Sequence, residues 1–494
     1  MSAVRECVVL WGVAAGLAAL GTEVLFEAAA GVNWGLWSIG AASAVAVWTR
    51  HAGAPLSAPL LAVLWLAGML GAGAAVTADG FFHVLIAGAV LALLAMAVLL
   101  AEDARWARVT VPFMLCAPLV ASLHGLAETV RRATEVVALV TARGNRPRLR
   151  GAALALPVVA LFGLILANAD PVLATLRDDL VGALTRLAFV PRLKFFATLL
   201  LAALGGGGII LRRAPARIPG SAALAAGARL GDTERLIILG SVVALFAAFL
   251  LLQLSYLFGN APARIGSGVT FAEYARRGFA ELTTVATLCT LLIVLLERWA
   301  ARGARERWAR LAAVAVIFEV ELLLLSALRR LWLYEAAYGF TTLRLYGHAY
   351  MVIVALLLVL LGSELWRGLE PGRAARRAAG VGALALIALT YWNHEAWIVR
   401  ENVARYVQTG HLDTLYLLGL SPNAVPAIVE SLSILPEGPA GLLRESLQRH
   451  YSPDSDHRAC RWFEWNLRRR QAAEALRAAG LLSEPVQFGA SPCT

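Results

Sequence analysis

The stretch AAVAVIFEVELLLLSALRRLWL, Ala312–Leu333, decides the fold of this chain. It is long and apolar enough to cross a hydrocarbon core of about 30 Å as a helix. Glu319 and Glu321 lie near its middle, where a charged side chain costs at least ~2.5 kcal/mol. Because such a carboxylate usually faces a protein interior or an aqueous cavity, the stretch indicates a membrane helix that packs among others.

The composition of the whole chain agrees with a membrane protein. Of 494 residues, 59% are hydrophobic and only 16% are charged, whereas about a quarter are charged in soluble domains. Apolar blocks of about 20 residues recur and short alternating strands do not, so we predict an all-α, polytopic helical bundle rather than a barrel. The net charge of +11 comes from arginines in short loops between the blocks, so we expect membrane lipids, and not nucleic acid, as partners.

The apolar blocks predict about eleven crossing helices. The segment 109–127 is interrupted by Pro112 and Pro118, so we expect it to be re-entrant or interfacial. The chain then divides into a multi-span transmembrane domain, 1–392, and a C-terminal domain of amphipathic helices, 393–494. The predicted spans lie near 8–26, 32–49, 56–76, 81–101, 152–168, 194–211, 236–258, 279–297, 311–330, 345–364 and 378–392.

The arginine-rich loops orient the bundle. They follow every second span if 109–127 does not cross, and the positive-inside rule places them in the cytoplasm. The N-terminus is then cytoplasmic and the tail from Asn393 is extracytoplasmic. The first apolar run has no small-residue cleavage site, so we expect it to be the first membrane anchor.

Two groups of polar residues are candidate functional sites. Intramembrane acids would relay a proton or a cation, or one of them would be a catalytic carboxylate with a raised pKa. The candidates are Glu319, Glu321 and Glu281. The alternative for Glu319 is a structural ion pair with an arginine of another helix. Glu319 and Glu321 point about 200° apart on a helix, so they do not line the same wall. The second group is a polar cluster at the outer face, formed by Asp170, Glu273, Arg276, Arg277, Arg344, Asn393 and Glu395.

The outer residues also have structural explanations. Asp170 before Pro171 is typical of a turn that starts an interfacial helix, and Glu273 belongs to a helix-capping box. A functional site would instead hold an anion on Arg276 or Arg277, because the guanidinium fork suits phosphate and carboxylate. No catalytic residue stands out, and no metal-ligand or nucleotide-binding spacing occurs, so neither a metal nor a cofactor is expected.

The tail is predicted to be a small bundle of helices. Apolar residues at helical spacing after Asn393 predict a helix that ends at Gly410. The pair Ser421-Pro422 predicts the start of a second helix. A third helix is expected over Arg458–Ala479.

Four blocks carry a family resemblance: QLSYLFGN (Gln253–Asn260), FAEYARRGFAEL (Phe271–Leu282), YGFTTLRLY (Tyr338–Tyr346) and NHEAWIVRENVARYVQTGHLDTLYLLGLSPNAVPAI (Asn393–Ile428). They resemble bacterial polytopic membrane proteins of the domain-of-unknown-function family 4173, close to family 4153. The similarity covers about Leu161–Ala479, although the family often has Asn-Pro where this chain has Asn393-His394. The resemblance implies a bacterial inner-membrane protein with many helices and supplies no activity, substrate or catalytic residue.

The sequence is compatible with three functions. A secondary transporter or flippase would use Glu319, Glu321 and Glu281 as coupling sites, although no internal repeat of the kind common in transporters is evident. A membrane-embedded enzyme would act on an envelope or lipid-linked substrate at the outer face. An assembly or sensor subunit would bind an envelope protein through the tail. A through-going cavity favours transport, a cavity confined to the outer side favours an enzyme, and a filled core favours a scaffold.

Overall fold

The structure is a computed structural model, and it describes residues 2–102, 189–211, 231–257, 285–297, 300, 306–451 and 461–482. These residues form helices and no strand, so the all-α prediction is confirmed. The helices of the bundle are α1 (Ser2–Leu25), α2 (Val32–His51), α3 (Ala58–Gly73), α4 (Gly80–Glu102), α5 (Phe189–Ile210), α6 (Asp232–Leu257), α7 (Val285–Glu297), α8 (Glu306–Tyr338), α9 (Thr342–Arg367) and α10 (Pro371–Tyr391). The tail adds α11 (His394–Thr409), α12 (Thr414–Leu418), α13 (Val425–Ser431), α14 (Glu437–His450), a 3₁₀ turn (Trp462–Glu464) and α15 (Leu467–Ala478).

Five of the described helices are long and apolar enough to cross a membrane, namely α1, α4, α5, α8 and α9. Helices α3 and α7 are apolar but shorter in the described residues. Helices α2, α6 and α10 cover further predicted spans, whereas the span near 152–168 and the segment 109–127 lie outside the described residues. The protein is therefore a helical membrane bundle.

Tryptophans mark both ends of the longest described helix, α8. Trp308 and Trp332 are 62% and 61% exposed, and their numbering places them about 36 Å apart at 1.5 Å per residue. Amphipathic rings at this separation match the two interfaces of a bilayer with a core of about 30 Å. Trp366 at the end of α9 and Trp392 after α10 repeat the pattern.

Two apolar cores hold the bundle together. The first lies among α1–α5 and includes Trp48, which α5 approaches through Gly207. A Cβ at Gly207 would lie 2.7 Å from the Trp48 indole, so the glycine permits the close helix packing. The second core lies among α6–α9 and is centred on Val316, Val320 and Leu323 of α8. Helix α10 packs against α3 and α9 and so connects the two.

The two ends of the bundle differ in charge and in what covers them. At the end that we call the tail end, Arg461 of the tail donates to the carbonyl of Phe26, directly after α1 (3.2 Å). The start of α1 therefore lies at the opposite end, which we call the basic end. There, buried Glu364 of α9 accepts hydrogen bonds from Arg373 (2.8 Å) and Arg377 (2.5 Å) of α10. This clamp ties the end of α9 to the start of α10.

The tail packs around its own apolar core, to which Val399, Ile428 and Leu476 contribute. Helix α11 ends at Gly410, whose φ of 68° is left-handed, as the sequence predicted. The last helix, α15, starts at Leu467 and not near Arg458, which lies outside the described residues.

The helix start that was predicted at Ser421-Pro422 is wrong. Helix α13 begins at Val425, and Ser421 and Pro422 lie in the preceding turn. The Ser421 hydroxyl donates to the carboxylate of Glu395. The same hydroxyl accepts a hydrogen bond from the N–H of Asn423 (3.3 Å). It therefore stabilises the turn before α13, whose N-cap residue is Ala424.

Candidate functional site

An open and largely apolar groove lies between the end of α8, the first half of α9 and the second half of α10. Its volume is about 800 Å³, which is within the range of ligand pockets. Along α9 it extends from Leu345 to Leu356, a rise of about 16 Å at 1.5 Å per residue. Because half of a bilayer core is about 15 Å thick, the groove has the depth of one leaflet, the one nearest the tail.

Two carboxylates and one imidazole line the groove towards the tail end, from Glu335, Glu401 and His348. Glu335 is only 3% exposed, and its Oε1 lies 3.5 Å from Nδ1 of His348. The same nitrogen lies 3.2 Å from the carbonyl oxygen of Arg344. Since a carbonyl oxygen can only accept, the imidazole proton belongs on Nδ1, and Nε2 is then an acceptor.

Aromatic rings surround these polar groups. The groove is lined here by Trp332, Phe340, Trp392 and Trp397. The ring centroids of Phe340 and Trp397 lie 5.1 Å apart, and those of Trp392 and Trp397 lie 5.8 Å apart. Trp397 and Glu401 belong to α11, so the tail forms part of this end of the groove. An apolar wall with a polar, aromatic end suits an amphiphilic molecule.

The arginines next to this end are engaged by the chain itself. Arg344 donates to the carbonyls of Tyr338 (3.2 Å) and Gly339. Arg405 donates to the carbonyl of Ala336 (3.0 Å). These bonds satisfy carbonyls at the C-terminus of α8. Arg344, a candidate from the sequence, therefore acts in the structure as a cap of α8.

Glu319 lies within the second core of the bundle and does not face lipid. It is 9% exposed, and its Oε2 has no hydrogen-bond partner among the described residues. The expected ion pair with an arginine is not found in that part of the chain. Leu323 and Ser326 share its buried face.

The other candidate acids are less enclosed or lie elsewhere. Glu321 is half-buried, and its Oε1 also lacks a hydrogen-bond partner within the described residues. Glu281 lies outside the described residues. Within the same ranges, no group of three or more His, Cys, Asp and Glu residues is placed to hold a metal ion.

Three members of the predicted outer-face cluster are described, and all three lie at the tail end: Arg344, Asn393 and Glu395. Asn393 accepts a hydrogen bond from the N–H of Ala396 (3.2 Å) and so caps α11. Its amide also donates to the carbonyl of Asn423 (3.0 Å). The remaining members lie outside the described residues, namely Asp170, Glu273, Arg276 and Arg277.

A hydrogen-bonded chain joins the tail to the bundle. The hydroxyl of Tyr346 in α9 lies 3.3 Å from Oδ2 of Asp79 and 3.1 Å from Nε2 of His394. His394 is buried, and burial lowers its pKa. Burial raises the pKa of its neighbour Glu395, although Ser421 donates two hydrogen bonds to that carboxylate. These groups are satisfied by one another, so the chain fixes the tail rather than forming an open site.

Two asparagines connect the tail to the backbone between α3 and α4. Asn466 donates to the carbonyls of Ala74 (2.9 Å) and Thr77 (2.7 Å). Asn423 accepts a hydrogen bond from the N–H of Ala78 (2.8 Å). The tail is therefore anchored at several separate points, and its position over the groove is fixed.

The sequence did not point to Glu335 and His348. They lie on two different helices, and the turn at Gly339, whose φ is 83°, brings them together. The signal that was available is an acid and a histidine on either side of a glycine between two apolar helices.

A family profile described as "Domain of unknown function (DUF4153)" matches residues 64–431. The match runs from α3 to α13 and contains Glu319, Glu335, His348 and Glu401. No curated protein and no solved structure matches the chain. The sequence blocks resemble family 4173, but the match is to its relative, family 4153, and membership of family 4173 is not shown. Because the matched residues make up more than half of the chain, this membrane protein belongs to the DUF4153 family.

Proposed function

We propose that this protein is a multi-span protein of a bacterial inner membrane that binds a lipid or a lipid-linked substrate in the groove of α8–α10. The observation that carries this proposal is the groove itself, which is about one leaflet deep and polar only towards the tail end. An acyl chain fits its apolar wall, and a head group meets Glu335, His348 and Glu401. A groove that, among the described residues, reaches through one leaflet only favours a membrane-embedded enzyme or lipid-binding protein over a transporter.

The orientation is part of the proposal. Arginines gather at the basic end of α8, α9 and α10, which supports a cytoplasmic position for that end. The N-terminus is then cytoplasmic, and the tail and the open end of the groove belong to the outer leaflet. His348, oriented by Glu335, is the group best placed to act as a general base on a substrate bound there.

A topology reporter tests the orientation. A reporter enzyme that is active only outside the cytoplasm, fused after Thr494, is expected to be active. The same reporter inserted at Gly53, in the turn between α2 and α3 at the basic end, is expected to be inactive. Activity at Gly53 and none after Thr494, at equal expression, would show the opposite orientation.

Filling the groove is expected to remove the bound lipid. Ala385 of α10 lines the groove, and Ala385→Trp places an indole where an acyl chain would lie. Labelling by a photoreactive phospholipid should fall at least about tenfold, which corresponds to about 1.4 kcal/mol of lost binding. Mass spectrometry of the labelled peptides measures both the amount and the position of labelling.

Val84→Trp is the matched control. Val84 is 72% exposed on α4 near the tail end and lies outside the groove, so this variant should keep the labelling of α9 and α10. Equal labelling of the two variants, or labelled peptides that lie away from the groove, would contradict the proposal.

A second candidate function, secondary transport, is favoured by one observation. Glu319 is enclosed by the core of α6–α9, and its Oε2 has no partner among the described residues. An acid in such a position is a typical site for a coupled proton or cation.

A further inference from the structure

We propose that the polar end of the groove binds a lipid head group that carries an ammonium ion. This inference rests on the proposed lipid-binding function and names the chemical class of the ligand. It follows from the charge of the groove lining, the hydrogen-bonding capacity of that lining and the position of the nearby arginines.

The charge of the lining favours a cation. Glu335 and Glu401 bring two carboxylates to the groove, whereas neither lysine nor arginine is among its described lining residues. A buried carboxylate such as Glu335 is stabilised by a charged or hydrogen-bonding partner. His348 provides one partner at 3.5 Å. An ammonium ion in the groove would provide the second and would also neutralise Glu401.

The hydrogen-bonding capacity of the lining also favours an ammonium ion. With its proton on Nδ1, His348 presents Nε2 as an acceptor, and both carboxylates are acceptors as well. An alkylammonium has three N–H donors, so its donors match the three groups. A head group that offers a phosphate and no ammonium ion is rich in acceptors, and the carboxylates would repel its charge without gaining a cationic partner.

The aromatic rings complete a site for a cation. Trp332, Trp392 and Trp397 lie around the polar end, and the faces of indole rings attract ammonium groups. The rings of Trp392 and Trp397 pack against each other, with centroids 5.8 Å apart. Their positions are therefore set before any ligand binds, which lowers the entropic cost of binding.

The nearby arginines do not make an anion site of this end. Arg344 and Arg405 are held at the C-terminus of α8 by the carbonyls of Tyr338 and Ala336. Arg344 also lies 4.3 Å over the ring of Tyr334. Neither guanidinium lines the groove, so the cations at this end stabilise the helix terminus.

Competition between lipids in the reconstituted full-length protein tests the proposal. A photoreactive phospholipid labels the groove in vesicles, and three unlabelled lipids compete with it: phosphatidylethanolamine, phosphatidylglycerol and an uncharged glucosyl diacylglycerol. The first two share a phosphate, so a difference between them reports on the ammonium group. We expect phosphatidylethanolamine to compete at least about tenfold better than the other two, which is about 1.4 kcal/mol in binding.

Charge-neutral variants assign the preference to the site. Glu335→Gln and Glu401→Gln should each reduce the preference for phosphatidylethanolamine by about tenfold. Glu401 is only half-buried, so its variant decides the question if Glu335→Gln does not fold. Glu474→Gln, on the exposed surface of the tail, is the matched control and should keep the preference.

The outcomes separate the two proposals. Equal competition by all three lipids, with the groove still labelled, would overturn the ammonium assignment and leave lipid binding in place. Stronger competition by the glycolipid would also overturn it, because sugar hydroxyls would then be the preferred donors. Labelling that never maps to α9 or α10 would overturn the lipid-binding function itself.

Discussion

Replacing Asn466 with alanine is expected to weaken the docking of the tail by roughly 3 kcal/mol. Asn466 is 3% exposed and donates to the carbonyls of Ala74 and Thr77. Its Oδ1 also accepts from the N–H groups of Arg468 and Arg469 at the start of α15. Each buried group that loses its partner costs about 1–3 kcal/mol, and a lost N-cap costs about 1 kcal/mol.

Hydrogen exchange of two backbone amides measures this effect. The N–H of Leu467 donates to the carbonyl of Ala75 (2.8 Å), and the N–H of Val32 donates to the carbonyl of Trp465 (3.0 Å). Both bonds exist only while the tail is docked. A loss of 3 kcal/mol should speed their exchange about 100-fold, because every 1.4 kcal/mol is about a factor of ten.

Arg444→Ala is the control for the Asn466 variant. Arg444 pairs with Glu437 on the exposed surface of α14, and exposed pairs contribute at most about 1 kcal/mol. The exchange of Leu467 and Val32 should therefore stay close to that of the native protein. Equal protection in the two variants would mean that other contacts, such as those of Asn423, hold the tail without Asn466.

The parts of the fold that the sequence predicted are those determined by local patterns. A run of apolar residues long enough to span a bilayer predicts a helix by itself, and α8 and α9 follow their runs. Gly410 ends α11 because only the local backbone conformation is involved. Asn466 was an available local signal as well, since asparagine is a preferred N-cap residue, and it marks the true start of α15.

The parts that the sequence did not predict depend on contacts between distant residues. Ser421 has the features of an N-cap, but its hydroxyl bridges the carboxylate of Glu395 in α11 and the N–H of Asn423 in the turn before α13. Arg344 was predicted to belong to a polar cluster at the outer face, yet its guanidinium donates to the carbonyl of Tyr338 at the end of α8. Side chains with more than one hydrogen-bonding site can take either role, so only the contacts in the folded protein decide between them.

The groove could not be predicted from the sequence either, because it also depends on contacts between distant residues. Glu335 and His348 meet across the turn at Gly339, and Glu401 lines the same groove only because α11 docks at this end of the bundle. Asn402 fixes that position by exchanging hydrogen bonds with the backbone of Phe340, at 2.9 Å and 2.8 Å. A site that needs three helices and a docked tail has no spacing that a single segment reveals.

Replacing Glu319 with leucine is expected to stabilise the bundle. The side chain is enclosed by an apolar core, and its Oε2 has no hydrogen-bond partner among the described residues. A buried polar group without a partner costs about 1–3 kcal/mol, and leucine of similar size removes that cost. The thermal midpoint of the purified protein should therefore rise. Leu323→Ala, at a fully buried position on the same face, should lower it by the equivalent of about 2–5 kcal/mol.

Glu319→Gln then separates a functional acid from a structural one. A buried ion pair that loses one partner costs about 3–5 kcal/mol. A large loss of stability in this variant would therefore show that Glu319 forms an ion pair with a basic residue outside the described ranges. We expect the stability to change by less than about 1 kcal/mol instead, because no such partner is present in the described core. The variant is also tested for its ability to restore the growth of a strain that lacks this protein. If the groove is still labelled by lipid but growth is not restored, the acid serves a charge-dependent step that is distinct from lipid binding. Normal growth with this variant would exclude the transport function, because a coupling site does not work without its titratable group.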